Sequence, residues 1–260
     1  MAAQYSGSGD PRRTIELLWG VPQRPRRGPK PRLSIDRIAE VATRLADEAG
    51  LAGVSLRRVA EELDVTPMSL YGYVPGKAEL LDLIADRAYG ELSEPAPRSG
   101  RAEAGWRARL ETAAREGWKL YLAHPWLLQI ATSRPLLGPN LTAKYERELR
   151  TVDRLGLNDV EMDLVVGLVD DYVHGAARTA VEATQAEART GMSDQQWWEA
   201  YGPLLGRVVD PDRYPVAIRV GSAAGAEYGA AHDPARSFEF GLQRVLDGIG
   251  ILIDSRRHRR

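Results

Sequence analysis

The sequence predicts an all-α protein in which a three-helix N-terminal unit precedes a larger helical body. Three observations support this fold class. Apolar residues recur at helical spacing in nearly every segment, Gly and Pro residues mark the breaks between segments, and no strand–helix–strand pattern competes with the helices. At 260 residues and 43% hydrophobic composition, the chain is long enough for a small domain plus a larger one.

Residues 1–32 are expected to form a flexible N-terminal extension. Residues 14–20 could form a short apolar turn, and the Gly and Pro residues between positions 22 and 31 forbid a regular helix after that turn. Because cations are interleaved with those prolines, this stretch is interpreted as an extended basic arm. The cations are Arg24, Arg26, Arg27, Lys30 and Arg32.

Residues 33–93 are predicted to hold three short helices and a longer connecting helix. Ser34 is an N-cap candidate for the first helix, which Gly50 closes, and Ser55 is the N-cap of the second. Thr66 and Pro67 supply the N-cap and the first position of a very short third helix. The predicted ranges are 34–50, 55–63, 66–74 and 77–93.

The body is expected over residues 94–255, followed by a basic tail at 256–260. Prolines, glycines and mixed charge at 94–105 predict a hinge. Residues 206–233 lack a clear period and hold several Gly and Pro residues, so we expect a long, poorly ordered loop there. The predicted body helices are Trp106–Ala123, 125–133, 140–155, Asp159–Thr190, 194–205 and 234–255.

Composition excludes several classes of protein. Lys and Arg number 35 against 36 Asp and Glu, so any attraction to nucleic acid must come from local clusters such as the basic arm. The chain has no cysteine, which excludes disulfides and thiolate zinc sites and is compatible with the cytoplasmic location that we expect. No segment has the roughly 18 to 20 uninterrupted apolar residues of a membrane helix, and residues 1–11 do not resemble a signal sequence.

We expect no enzymatic activity, no cofactor and no metal site. The four histidines lack the spacing of a zinc site. Neither a phosphate-binding loop that ends in Gly-Lys-Ser/Thr nor a nucleophile elbow occurs. The histidines are His124, His174, His232 and His258.

The second and third predicted helices have the dimensions of a helix-turn-helix, in which the later helix enters the major groove of DNA. On that later helix Leu70 and Val74 are four residues apart and should face the core. The outward positions are then Pro67, Met68, Ser69, Tyr71 and Gly72.

These outward residues suit contact with DNA. Gly72 admits close approach, and the hydroxyls of Tyr71 and Tyr73 can donate hydrogen bonds to phosphates. Ser55 and Lys77 lie at helix starts, where unpaired backbone amides and the helix dipole favour phosphate.

Each of these residues also has a simpler interpretation. Arg57, one turn into its helix, could reach a phosphate or a base, but Arg57 and Lys77 could equally be solvated surface charges. Tyr71 and Tyr73 could be a packed pair.

Two segments, VSLRRVA at residues 54–60 and TPMSLYGYV at 66–74, are followed by Lys77 and the Leu80-Leu81 pair. In the type and spacing of these residues, the range 33–92 resembles the DNA-binding head of the tetracycline-repressor (TetR) family of transcriptional regulators. The resemblance implies that Tyr71, Tyr73 and Lys77 contact mainly phosphates of double-stranded operator DNA. The full set of implied operator contacts is Arg57, Thr66, Met68, Ser69, Tyr71, Gly72, Tyr73 and Lys77.

Base reading is expected to differ from the family pattern. Family members often carry Gln, Trp or another base-reading residue where this chain has Pro67 and Gly72. Discrimination between bases is therefore expected from Arg57, Thr66, Ser69 or the basic arm. The arm could enter an adjacent minor groove or be a solvated tail.

Two body helices are expected to pair subunits. The segment Asp159–Thr190 carries an apolar stripe with small residues in its second half, and 234–255 carries another stripe that needs a partner. Both resemble the dimerisation helices of TetR proteins. That resemblance implies a homodimer whose two heads meet successive major grooves.

The body is rich in large amphipathic side chains, a composition typical of ligand pockets and also of packed helical cores. It resembles the tetracycline-repressor-like ligand domain, which implies a small-molecule effector. No His and Glu set matches the magnesium–tetracycline site, so tetracycline itself is not implied. The candidate effector contacts are Trp118, Tyr121, Trp126, Tyr145, Met162, Val166, Asp170, His174 and Arg178.

Three of these candidates, Asp170, His174 and Arg178, follow one another at four-residue spacing on an otherwise apolar helix. If buried, they and Asp171 would pair with each other or with a ligand. They could instead form an ion network at a dimer interface.

The sequence as a whole predicts a ligand-responsive transcriptional regulator, a repressor released from its operator by a small hydrophobic or aromatic effector. The alternatives are an enzyme and a scaffold that binds no DNA. The scaffold reading would leave the basic arm and the Tyr71-Gly72-Tyr73 triplet unexplained.

Overall fold

The computed structural model describes residues 4–5, 9–20, 33–92, 105–131 and 135–258 of the chain. Within these ranges the architecture is helical apart from one pair of two-residue strands, and the predicted all-α class is confirmed. The helices are α1 (Pro11–Leu18), α2 (Ile35–Ala49), α3 (Leu56–Glu62), α4 (Pro67–Tyr71), α5 (Lys77–Gly90), α6 (Trp106–Ala123), α7 (Pro139–Val152), α8 (Asp159–Thr190), α9 (Asp194–Val208), α10 (Pro215–Tyr228) and α11 (Pro234–Arg257).

The strands β1 (Gln4–Tyr5) and β2 (Ile130–Ala131) pair in parallel, with Gln4 opposite Ile130 and Tyr5 opposite Ala131. Two 3-10 turns, Leu51–Gly53 and Pro125–Gln129, complete the regular structure of the described ranges.

Helices α2, α3, α4 and α5 form the head. Ser34 and Ser55 begin α2 and α3 as predicted, because each hydroxyl accepts a hydrogen bond at 3.2 Å from the backbone N–H three residues further on. Apolar side chains from all four helices meet in one core. The fully buried ones include Ile38, Leu45, Val59, Leu70 and Ile84.

The body packs α6, α8 and α11 against one another, and α7 contacts α6, α8 and α5. Its core includes the stacked rings of Trp118 and Phe238, whose centroids are 4.2 Å apart. The buried aliphatic residues of this core include Leu110, Val166, Val173, Leu242 and Leu246. The capping box of Asn158 and Glu161 fixes the start of α8 at the predicted residue.

Part of the predicted flexible extension is folded. Asp10 accepts hydrogen bonds from the backbone N–H groups of Arg12 and Arg13, and this cap starts α1. Leu17 and Leu18 join the head core. Of residues 14–20, which were expected to form only a turn, residues 14–18 therefore belong to a helix that begins at Pro11. The basic arm at 24–32 and most of the predicted hinge lie outside the described residues.

Two body predictions were wrong. The helix expected over 125–133 is a 3-10 turn that ends at Gln129, because Ile130 adopts an extended conformation and pairs with β1. The loop expected over 206–233 is largely helical, since α9 continues to Val208 and α10 occupies Pro215–Tyr228. Among the described helices, none combines the length and the apolar character needed to cross a bilayer.

Candidate functional site

Helices α3 and α4 form the predicted helix-turn-helix. The turn between them contains Asp64, whose φ of 52° lies in the left-handed region, and the backbone N–H of Val65 donates to Ala60 O at 3.0 Å. Leu70 and Val74 are fully buried, as the four-residue spacing predicted. This packing turns the opposite side of α4 to solvent.

The exposed side of α4 carries the predicted contact residues. Met68 is 77% exposed and Tyr71 is 50% exposed. The hydroxyls of Thr66 and Ser69 are 2.9 Å apart, so Thr66 occupies the N-cap position but its side chain bonds Ser69 instead of the helix backbone. A Cβ added at Gly72 would meet only Ser69 O at 3.5 Å, an ordinary contact, so local packing does not require this glycine.

Helix α4 is shorter than the predicted range of 66–74. It ends at Tyr71 because the backbone N–H groups of Tyr73 and Val74 both donate to Leu70 O at 2.8 Å and close the helix in a tight turn. The turn leaves Tyr73 half-buried and Val74 in the core.

The cations that flank α4 already have partners in the free protein. Arg57 donates through Nε to Glu61 Oε1 at 3.0 Å on the exposed face of α3. The Lys77 ammonium donates to Leu51 O at 3.3 Å, and Ser55 Oγ caps α3. An exposed ion pair such as Arg57–Glu61 contributes little to stability, so Arg57 can exchange Glu61 for a phosphate at small cost.

The body contains a second set of polar groups, centred on Lys144 in α7. Its ammonium lies 2.7 Å from Glu148 Oε2 and 2.7 Å from Asp170 Oδ2. The side chains of Lys144 and Glu148 are 7% and 4% exposed, whereas Asp170 is 45% exposed. We call these three residues the buried triad.

Burial and charge oppose each other in the triad. Burial acts to lower the pKa of Lys144, but the carboxylates of Asp170 and Glu148 outweigh it and leave that pKa above its ordinary value. Burial raises the pKa of Glu148 to about 7, despite the neighbouring ammonium. The triad therefore holds a carboxyl group that titrates near neutral pH.

Three aromatic side chains with polar atoms extend the triad toward the head. The hydroxyls of Tyr89 and Tyr121 are 3.3 Å apart, and the Tyr121 ring meets the His174 ring edge-on at 5.5 Å between centroids. Burial lowers the pKa of His174, and the nearby Arg178 lowers it further. Because Tyr89 belongs to α5, this group joins the head's last helix to α6 and α8.

Comparison with known protein families decides the identity of the fold. Residues 38–84 match the family described as bacterial regulatory proteins, tetR family, and residues 97–253 match the tetracyclin repressor-like C-terminal domain. The chain belongs to the TetR family. It is therefore a DNA-binding transcriptional regulator and not an enzyme.

Individual TetR proteins resemble the chain over most of its length. The HTH-type transcriptional repressor DrrR1 of Streptomyces coeruleorubidus is 46% identical over 256 residues, which cover 98% of this chain and 92% of that protein. The solved structure of the TetR regulator SCO7222 from Streptomyces coelicolor has a TM-score of 0.64 at 28% identity and covers 85% of this chain and 99% of that one. The complex of the S. coelicolor TetR protein ActR with actinorhodin has a TM-score of 0.66 at 28% identity, covering 83% and 94% of the two chains.

The structure brings some predicted effector residues together and separates others. Tyr121, Asp170 and His174 lie in or beside the buried triad group. Trp118 stacks on Phe238 in the core, where Met162 and Val166 also pack. Of the alternatives left open for Asp170, His174 and Arg178, ion pairs with each other do not occur among the described contacts, since Asp170 pairs with Lys144 and Arg178 with Glu182.

Two other predicted effector residues have contacts elsewhere. Trp126 is 1% exposed and donates from Nε1 to Asp47 Oδ1 of α2 at 2.6 Å. His124 joins the same contact, with Nδ1 2.6 Å from Asp47 Oδ1 and Nε2 3.1 Å from Glu91 Oε1. Tyr145 is 41% exposed and donates to Asp163 at 2.7 Å. Trp126 thus belongs to the contact between head and body.

Lys144, Glu148 and Tyr89 were not predicted as site residues from the sequence. The four-residue spacing of Lys144 and Glu148 is visible in the sequence, but it is typical of an exposed ion pair on any helix. Only the packing of α7 against α8 shows that this pair is buried.

Proposed function

We propose that this TetR protein is a repressor that binds operator DNA as a homodimer and is released by a small hydrophobic or aromatic effector. The observation that carries the proposal is the outward face of α4, where Met68, Ser69 and Tyr71 are exposed over a packed Leu70. A protein that acts on the chromosome also belongs in the cytoplasm.

The proposed DNA contacts follow from position. Tyr71, Tyr73 and Lys77 contact phosphates, and the open surface at Gly72 lets the backbone of α4 approach the groove. Base-edge contacts come from side chains near the start of α4 and on α3. These further contact residues are Ser55, Arg57, Thr66, Met68 and Ser69.

The proposed homodimer uses α8 and the segment 234–255. These helices pack on each other and leave large apolar side chains in solvent. Leu164 is 63% exposed and Leu168 is 50% exposed on α8, and Ile251 is 72% exposed on α11. A second copy would cover them and place the two heads for successive major grooves.

The proposed effector site lies around the buried triad, where Tyr121, Asp170 and His174 supply polar groups between α6 and α8. ActR, a structural relative, is described in complex with actinorhodin, which supports a small-molecule effector for this chain. Trp118, Trp126, Tyr145, Met162, Val166 and Arg178 stay in the proposed candidate set. Linkage requires that effector and DNA weaken each other's binding by the same factor.

Fluorescence anisotropy with DNA from around the protein's own promoter tests the proposal. Tyr71→Phe and Lys77→Ala each remove one phosphate contact, so we expect weaker binding for both variants. Lys77→Ala also removes a cation, so its log–log salt slope should fall by roughly one unit, whereas the slope for Tyr71→Phe should stay unchanged. Tyr201→Phe and Lys119→Ala make the same changes at exposed sites on α9 and α6 and should leave affinity unchanged. Wild-type binding no tighter than to random DNA would refute the operator proposal.

A further inference from the structure

The described N-terminal residues, Gln4–Tyr5 and 9–19, contact both the head and the body. Helix α1 packs along α5 and buries Leu17 and Leu18 in the head core. On the body side, β1 pairs with β2, and Trp19 Nε1 donates to Leu137 O at 2.8 Å. We call this set of residues the N-terminal brace.

The brace reaches the end of α5 that lies beside the proposed DNA contacts. Gly9 is so close to α5 that a Cβ added there would overlap the carboxylate of Glu79. Glu79 is 6% exposed and belongs to the first turn of α5, which Lys77 begins. The brace therefore connects that turn directly to β2 and Leu137 in the body.

The other described hydrogen bonds between head and body, such as that of Tyr89 with Tyr121, lie further along α5 or on α2. Asp86 accepts hydrogen bonds from the backbone N–H groups of Asn140 and Leu141 and so caps α7. Asp47 accepts from Trp126 and contacts His124. None of these contacts involves the first turn of α5, so a rotation of α5 about these points would be opposed there by the brace.

We infer that the N-terminal brace fixes the orientation of the head on the body, so that the placement of the proposed DNA-reading surface depends on the brace as well as on α5. The core of the head continues into the body through Trp126, Leu127 and Ile130. A segment docked on both units restricts the relative motion that such a junction still allows. Without the brace the head samples more orientations, and only a fraction of them fit the DNA.

The spread of distances between the head and the body directly reports the range of orientations that the head adopts. Because the chain has no cysteine, Glu40→Cys on α2 and Ala143→Cys on α7 introduce two exposed sites for spin labels. The labelled protein is diluted into unlabelled protein, so that double electron–electron resonance reports the distance between the two spin labels within one chain. Deletion of residues 1–9 removes β1 and the contact of Gly9 with Glu79, and Trp19→Phe keeps an aromatic ring but removes the indole N–H that binds Leu137 O.

We expect the distance distribution to become roughly twofold broader in the deletion variant and to broaden less in Trp19→Phe. Trp197→Phe, the same change at an exposed tryptophan of α9, should leave it unchanged. Circular dichroism shows whether each variant is folded, and Trp19→Phe carries the test if the deletion variant is not. An unchanged distribution in folded brace variants overturns the inference.

The effect on DNA binding rests on the proposed function. We expect the brace variants to bind operator DNA about fivefold more weakly, within the usual range of coupling between sites, with an unchanged salt slope because no phosphate contact is lost. A reduced slope would instead make the segment a direct DNA contact and contradict the brace. If the wild-type protein binds no DNA, the proposed function fails and the distance measurement still decides the brace.

Discussion

Glu148 is the residue whose environment departs most from what its type suggests. Its folded pKa of about 7 lies above the ordinary 4.5, so between these values the native state binds more protons than the unfolded state. Stability should therefore fall as pH rises from about 4.5 to 7. Glu148→Gln removes this contribution, and thermal unfolding at pH 5 to 8 should show a smaller decline for the variant than for the wild type.

Glu146→Gln is the matched control for that measurement. Glu146 lies on the same helix, 57% exposed and paired with Arg150. Its replacement should leave the wild-type pH dependence in place. Parallel curves for the wild type and Glu148→Gln would show that Glu148 is not titrating in this range.

Lys144 supports two carboxylates at once, so its replacement should cost more than a typical ion pair. Lys144→Met leaves Glu148 and Asp170 without a counter-ion, and we expect a loss of about 2–4 kcal/mol in the free energy of unfolding. This loss is smaller than that for fully buried ion pairs because Asp170 is 45% exposed. Urea denaturation measures it. Lys119→Met on the exposed face of α6 should change the free energy of unfolding by less than about 0.5 kcal/mol. If Lys119→Met lost as much stability as Lys144→Met, the loss could not be attributed to the buried triad.

At the scale of elements, local signals predicted the head better than the body. The starts of α2 and α3 were predictable because their serine caps lie within a few residues of the apolar stripes, and the start of α5 because Pro75 and Gly76 mark the break before it. Helix α10 was missed because Gly225 is its sole buried residue, packed against Trp198, so its sequence has no core-facing stripe. The buried triad was missed for the converse reason, since it is assembled by α7 and α8 from residues 26 positions apart.

A comparison of two serine N-caps distinguishes an effect on stability from an effect on DNA binding. Ser34 and Ser55 make equivalent cap bonds at 3.2 Å, so Ser34→Ala and Ser55→Ala should each cost about 1 kcal/mol in urea denaturation. Only Ser55 lies in the proposed DNA interface. Ser55→Ala should therefore also weaken operator binding at temperatures where both variants are folded, and equal affinities for the two variants would place Ser55 outside the interface.

At the scale of the whole molecule, the sequence indicated which helices could pair subunits but not which side of each would be free. The structure adds that α8 buries Val165, Val169 and Val173 inside the subunit while Leu164 and Leu168 face solvent. Two apolar stripes on one helix need two partners. The body core satisfies the first, and the proposed second copy would satisfy the other.

Leu164→Lys tests this division of the helix. A lysine on the exposed stripe costs the subunit core nothing but places two like charges near the two-fold axis of the proposed dimer, so we expect sedimentation velocity to show monomers. Leu122→Lys, at a side chain 41% exposed on α6, should leave the oligomeric state unchanged. One head alone reads half of a two-fold operator, so the monomeric variant should also lose most of its operator affinity. Its melting temperature, measured at the same low protein concentration as that of the wild type, should be unchanged. A Leu164→Lys protein that stays dimeric would move the subunit contact away from this face of α8.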